Sequence, residues 1–207
     1  MKIQNIQLKK LNITALFDKI DQSQITSDTI RDLFSLKEPE RANTPFIELP
    51  GIKVLIVPTL KKEVVVEISR LRVSDASTED PTKSKIVSDF EKAYEAFSGK
   101  SVLRAYGYNY DISLQLQGDI SYDKLLSPSL RSLLNGSKLL EAGARVVFNK
   151  AGRKFDIQIV PSGQEKQLEV HANVHYEAEK IDFAKLKKEL IADYKEIEKA
   201  IKSFAKG

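Results

Sequence analysis

A chain of 207 residues that is 42% hydrophobic and 30% charged can bury a sizeable core, which excludes a disordered protein and removes the need for covalent staples. It has no cysteine, so disulfides, thiol nucleophiles and thiolate metal sites are excluded together. A net charge of +4 is too small to specify an anionic partner, and no apolar run approaches the roughly 20 residues that cross a bilayer.

The opening stretch "MKIQNIQLKKLN" alternates polar and apolar residues. It lacks the apolar core and small-residue cleavage site of a secretory signal, which points to a cytoplasmic protein without a membrane partner. Ile6 and Leu8 share one parity, whereas Leu11, Ile13, Ala15 and Phe17 share the other. The switch predicts a strand with a bulge at Lys9 and Lys10. Ile3, Ile6, Ile13 and Phe17 would also line one helix face, but Ile, Thr and Asn are modest helix formers and favour the strand. A short helix follows, with Ile30, Leu33 and Phe34 inward. Residues 1–45 are expected to lie at the edge of the sheet.

The polar clusters "DQSQITSD", "KEPERANTP" and "SDASTEDPTKS" read as loops. "IKVLIV" from Ile52 is a strand ended by Pro58. "EVVVEISRLRV" from Glu63 reads as one strand whose parity shifts at a bulge near Ser69. Ile86, Phe90, Ala93, Tyr94 and Phe97 recur at helical spacing, and Gly99 supplies the stop. The strand "RAYGYNYDISLQL" comes next. Ser127, Pro128 and Gly136 then punctuate a short helix.

Three alternating segments follow, carried by Ala144, Val146 and Phe148, by Phe155, Ile157 and Ile159, and by Leu168, Val170, Ala172, Val174 and Tyr176. They predict an antiparallel meander with one wet face. The last helix starts after Asp182 and carries a stripe of Phe183, Leu186, Leu190, Tyr194, Ile197, Ile201 and Phe204. That stripe either packs on the chain's own sheet or pairs as a coiled coil in a homodimer. The expected fold is a single α+β domain over residues 1–207. In it a curved antiparallel sheet of five to seven strands is covered on one face by two main helices, near 83–97 and 182–204.

The candidate sites sit on two strands. Tyr106, Tyr108 and Tyr110 share parity with Ile112, Leu114 and Leu116, which assigns their rings to the buried side. Arg104, Tyr106, Gly107 and Tyr108 fit four slots of the aromatic strand of RNA-recognition motifs, but Ala105, Asn109 and Asp111 depart from it, and so does the strand's place in the order. Gly107 marks a bulge or a close backbone approach.

The only histidines, His171 and His175, would share a metal on a helix. On a strand they stand about 13 Å apart, at about 3.3 Å per residue, and cannot. They share a polar face with Gln167, Glu169 and Asn173. The acidic residues Asp75, Glu79 and Asp80 lack the spacing of a calcium loop. No phosphate loop, G-x-S-x-G elbow or H-E-x-x-H is present.

The expected function is therefore a non-enzymatic binding or adaptor protein acting through protein or peptide contacts. The candidate contact residues are Tyr106, Tyr108, Tyr110, Glu169, His171, Asn173 and His175. No catalytic residue, metal or cofactor is assigned. Two alternatives are a nucleic-acid-associated protein using exposed tyrosines and the C-terminal lysines, and an enzyme whose carboxylates meet only on folding. Residues 180–207 hold eight lysines against five acids.

Overall fold

A computed structural model describes residues 2–118, 122, 132 and 139–206. The class is α+β, as expected, and all described strands join one antiparallel sheet. The strands are β1 (Lys2–Phe17), β2 (Phe46–Leu49), β3 (Ile52–Val57), β4 (Lys62–Glu67), β5 (Arg70–Asp75), β6 (Leu103–Gln117), β7 (Ala144–Lys150), β8 (Arg153–Pro161) and β9 (Gln167–Glu177). The helices are α1 (Ser27–Leu33), α2 (Glu40–Asn43), α3 (Ile86–Phe97) and α4 (Phe183–Lys206). The expected helix at Ser127–Gly136 lies outside the described residues.

The nine strands run in the order β2-β3-β4-β5-β1-β6-β9-β8-β7, which exceeds the five to seven expected. Two features account for the difference. "EVVVEISRLRV" is two strands rather than one bulged strand: Val66 faces Leu71 across a tight turn at Ile68–Ser69. Folding back there aligns Val64 and Val66 with Leu71 and Val73 on one buried face, which explains the parity shift. In addition, Phe46–Leu49 pairs with β3 across a turn at Pro50–Gly51, and Gly51 adopts φ +78° there.

β1 is a strand and carries the expected bulge, seen as a register shift against β6 between Leu8 and Lys10. Its place is a correction. Rather than standing at the edge, β1 occupies the middle of the sheet, between β5 and β6. Its residues Leu8, Leu11, Ile13 and Ala15 are accordingly buried.

One face of the sheet holds the core. α3 contributes Ile86, Phe90, Ala93 and Phe97 and packs on β5 and β1. Lys62 of β4 pins it through an ion pair with Asp89, both nearly buried. α4 is 24 residues, about 36 Å at 1.5 Å per residue, and contacts β1 and α3. Its first backbone amides, of Lys185 and Leu186, donate to the Asp182 carbonyl. The stripe of Leu186, Leu190, Tyr194, Ile197 and Ile201 is buried within the chain, so it is unavailable to a coiled coil. Among the described residues no helix is long and apolar enough to cross a membrane.

Candidate binding face

The tyrosine ladder lies under α4. Tyr106, Tyr108 and Tyr110 are all buried, the last two completely. Tyr108 Oη donates to the Leu186 carbonyl at 3.3 Å, and Tyr110 Oη to the Leu190 carbonyl at 2.8 Å. Tyr106 Oη reaches Glu189 at 3.1 Å, and its ring stacks on Tyr176 at 4.7 Å. Burial pushes the Tyr108 and Tyr110 phenols far above their ordinary range, so they stay neutral donors. These three candidate contact residues are thus corrected to supports: their hydroxyls are satisfied by α4, and the rings offer no face to a base.

Beside the ladder, α4 buries one carboxyl. Asp193 accepts a hydrogen bond from Tyr176 Oη at 2.6 Å and pairs with Arg153. Burial raises its pKa to about 6 against the opposing pull of Tyr176 and Arg153.

The other parity of the same strands builds a polar face. Register places Asn12 of β1, Asn109 of β6 and Asn173 of β9 in one row. The row is hydrogen-bonded head to tail. Asn173 Nδ2 donates to Asn109 Oδ1 at 2.5 Å, and Asn109 Nδ2 donates to Asn12 Oδ1 at 2.6 Å. Thr14 Oγ1 also donates to Asn12 Oδ1, at 3.3 Å. Each strand supplies one amide because its inward residues, such as Ile13, Tyr108, Tyr110 and Val174, are claimed by the core.

Adjacent rows extend this surface. One carries Arg72, Thr14, Gly107 and His175, the next Lys10, Asp111 and His171. His171 Nδ1 lies 2.8 Å from Asp111 Oδ1. Glu169 stands opposite Ser113 and accepts from Gln167 at 2.8 Å. The four remaining candidates, Glu169, His171, Asn173 and His175, therefore do share one face, spread along β9 rather than gathered at a point. Among the described residues no three His, Asp or Glu side chains converge to hold a metal. The acidic loop is self-satisfied: Asp75 accepts from the Ser77 and Ser84 hydroxyls, each at 2.5 Å, and Asp80 from Thr82 Oγ1 at 2.7 Å.

Gly107 shapes the centre of the face. β6 and β9 stay in register through it, so it is not a bulge. It is a close approach: a Cβ there would sit 2.5 Å from the Val174 carbonyl oxygen. Over it opens a shallow cleft of about 400 Å³, lined by Asn12, Thr14, Arg70, Arg72, Asn109 and His175 among others. Arg72 Nη2 donates to Glu63 Oε1 at 3.0 Å, and Lys10 stands 3.7 Å from the same oxygen. Arg70 pairs with Glu67.

Sequence reading missed Arg70 and Arg72 as site residues. Their signal was present: they alternate with the buried Leu71 and Val73, so they had to share the outer side. What no local pattern reveals is that β5 lies beside β1, which sets Arg72 opposite Thr14 and Arg70 opposite Leu16.

No protein-family model matches this chain, and no curated protein matches it.

Proposed function

We propose that this chain is a non-enzymatic binding protein that acts in the cytoplasm as one domain and recognises a polypeptide partner on the polar face of β5, β1, β6, β9 and β8. The observation that carries this reading is the hydrogen-bonded row Asn12–Asn109–Asn173 with its flanking rows. Polar side chains recur at alternate positions, at Asn109, Asp111, Ser113 and Gln115 of β6 and at Gln167, Glu169, His171, Asn173 and His175 of β9, the spacing of an extended peptide backbone. From Ala105 to Gln115 the face runs about 33 Å, and five strands span about 19 Å, at about 3.3 Å per residue and about 4.8 Å per strand. That rectangle encloses at most about 630 Å², below the roughly 800 Å² each partner contributes to a standard protein interface and in the range of a peptide contact. Asp111 and Asp156 on it are engaged by His171 and Arg145, and Glu63 beside it by Arg72 and Lys10, which favours binding over acid–base chemistry.

A nucleic-acid reading loses its aromatic platform to the core and would rest on the lysines of α4 alone. Photo-crosslinking separates the two. A benzophenone side chain in place of Asn109 is expected to yield polypeptide adducts from lysate, whereas one at Lys187 on α4 is not. Adducts from Lys187 alone, or with nucleic acid at either position, would refute the reading.

A further inference from the structure

Among the described residues, β2 and β7 end the sheet and each keeps one open edge. An open edge is a template for pairing, ordinarily blunted by short length, proline, a bulge or a free charge. β2 is blunted: it has four residues and stands between Pro45 and Pro50. β7 is not. It runs seven residues, contains no proline and keeps unbroken register with β8. Its two cations are turned back on their own chain, Arg145 to Asp156 and Lys150 to Glu196. Both sides of the strand leave an apolar group half in water: Val146, opposite the buried Ile157, is 53% exposed, and Val147, opposite Asp156, is 49% exposed. The hairpin geometry identifies the open backbone groups. β7 and β8 are joined by the two-residue turn Ala151–Gly152, both residues at positive φ. Such a turn closes on a hydrogen-bonded pair, here Lys150 with Arg153. Antiparallel pairs alternate from there, so Phe148 and Val146 bond to β8, whereas Asn149, Val147 and Arg145 direct N–H and C=O away from it.

We propose that β7 is a dimerisation edge, pairing antiparallel with β7 of a second copy about a two-fold axis at Val147. The strand "ARVVFNK" is its own complement in this register. Val147 meets the second copy's Val147, and Arg145 meets the second copy's Asn149. All three open residues thereby find a strand partner, with two backbone hydrogen bonds for each pair. A register centred on any other residue of β7 leaves at least one of the three facing chain beyond the strand. On the core side Val146 packs on the second copy's Phe148, an aromatic–β-branched pairing of the kind that stabilises sheets. That contact extends the stack of Phe148 on Phe155, whose centroids lie 5.0 Å apart. Lys150 falls opposite Ala144, so no like charges of the two strands oppose each other. Pairing β7 with β7 also closes, whereas pairing β7 with β2 of another copy would leave both edges open and propagate.

Light scattering on the full-length protein tests this. At about 100 μM chain the wild type is expected at twice the single-chain mass, and V147P and V147K at the single-chain mass. The Val147 N–H points away from β8, so proline there spares the chain's own ladder, as edge positions allow. V147K sets two ammonium groups against each other on the axis. Circular dichroism checks that both variants are folded. Cross-linking supplies an independent readout, because the chain has no cysteine of its own. Opposed residues of a hydrogen-bonded pair stand about 5.5 Å apart between Cα atoms, within the range of about 4.4–6.8 Å that a disulfide spans. V147C is therefore expected to oxidise to a covalent dimer. N149C is not, since its two copies would stand four residues apart along the strands, about 13 Å at about 3.3 Å per residue. A wild type at the single-chain mass, a dimer that survives V147P and V147K, or cross-linking of N149C as readily as V147C would overturn the dimerisation edge.

Discussion

Tyr110 Oη donates to the Leu190 carbonyl at 2.8 Å, and two residues earlier Tyr108 Oη donates to the Leu186 carbonyl at 3.3 Å. Two strand residues advance about 6.6 Å, and four helical residues about 6.0 Å. The near match lets consecutive rungs of β6 engage consecutive turns of α4, which fixes how the helix lies on the sheet. Tyr110→Phe is therefore expected to cost about 1 kcal/mol, and Tyr108→Phe less because its bond is longer. Urea denaturation checks both; equal stability for Tyr110→Phe and wild type would argue against the ladder.

Gly107→Ala tests the close approach of β9. The new methyl would meet the Val174 carbonyl oxygen at 2.5 Å, and that oxygen belongs to backbone that cannot swing aside. Destabilisation of about 2 kcal/mol or more is expected, on the scale of forced overpacking. Gly99→Ala is the control, because its Cβ would meet nothing within 4 Å and its cost is limited to backbone strain at φ +51°.

The Lys62–Asp89 pair fastens α3 to β4 with both side chains about 90% buried. Lys62→Met strands the Asp89 carboxylate and is expected to cost about 3 kcal/mol. The double variant Lys62→Met/Asp89→Leu should recover most of that, since a buried pair replaced by apolar groups is close to neutral. A double variant no more stable than the single one in thermal denaturation would contradict this account.

Asp193 makes stability depend on pH in an identifiable window. Its pKa is raised to about 6 in the folded protein, from an ordinary 3.8, by burial that outweighs Tyr176 and Arg153. A folded-state pKa above the unfolded one means that the native state binds the proton more tightly. This contribution is present in full below about pH 4 and is lost as pH rises through about 6. It amounts to up to about 3 kcal/mol at about 1.4 kcal/mol per pH unit. The melting-temperature difference between wild type and Asp193→Asn is expected to shift against wild type from pH 4 to 6.5. A difference constant across that range would remove Asp193 as its source.

The parts of the fold that could be read from sequence are those whose partners are close along the chain. The meander β7-β8-β9 shows as three alternating runs separated by turns, and each strand pairs with its neighbour in sequence or the next. The tyrosines were assigned to the buried side because parity alone decides it for an unbulged strand. The turn at Ile68–Ser69 escaped because Ser69, a weak signal, is its single turn-favouring residue and no Gly, Asn, Asp or Pro accompanies it. β1 was placed at the edge because its partners, Leu71 and Tyr108 among others, are dozens of residues away. The candidate site inherits both kinds of visibility. His171 and Asn173 were found by alternation within β9, but Arg70 and Arg72 join them only through the long-range pairing of β1 with β5.

The seating of β1 between β5 and β6 also has a kinetic side. During synthesis β1 must wait for residues 70–75 before one flank is satisfied, and for residues 103–117 before the other is. Until then sixteen residues of strand-forming chain, Leu8, Leu11 and Ile13 among them, have no native partner. Such distant closure slows folding and exposes the nascent chain to wrong pairings. Transposing β1 to follow β5 in a rearranged chain would shorten that interval, and faster refolding of the rearranged chain would trace the delay to strand order.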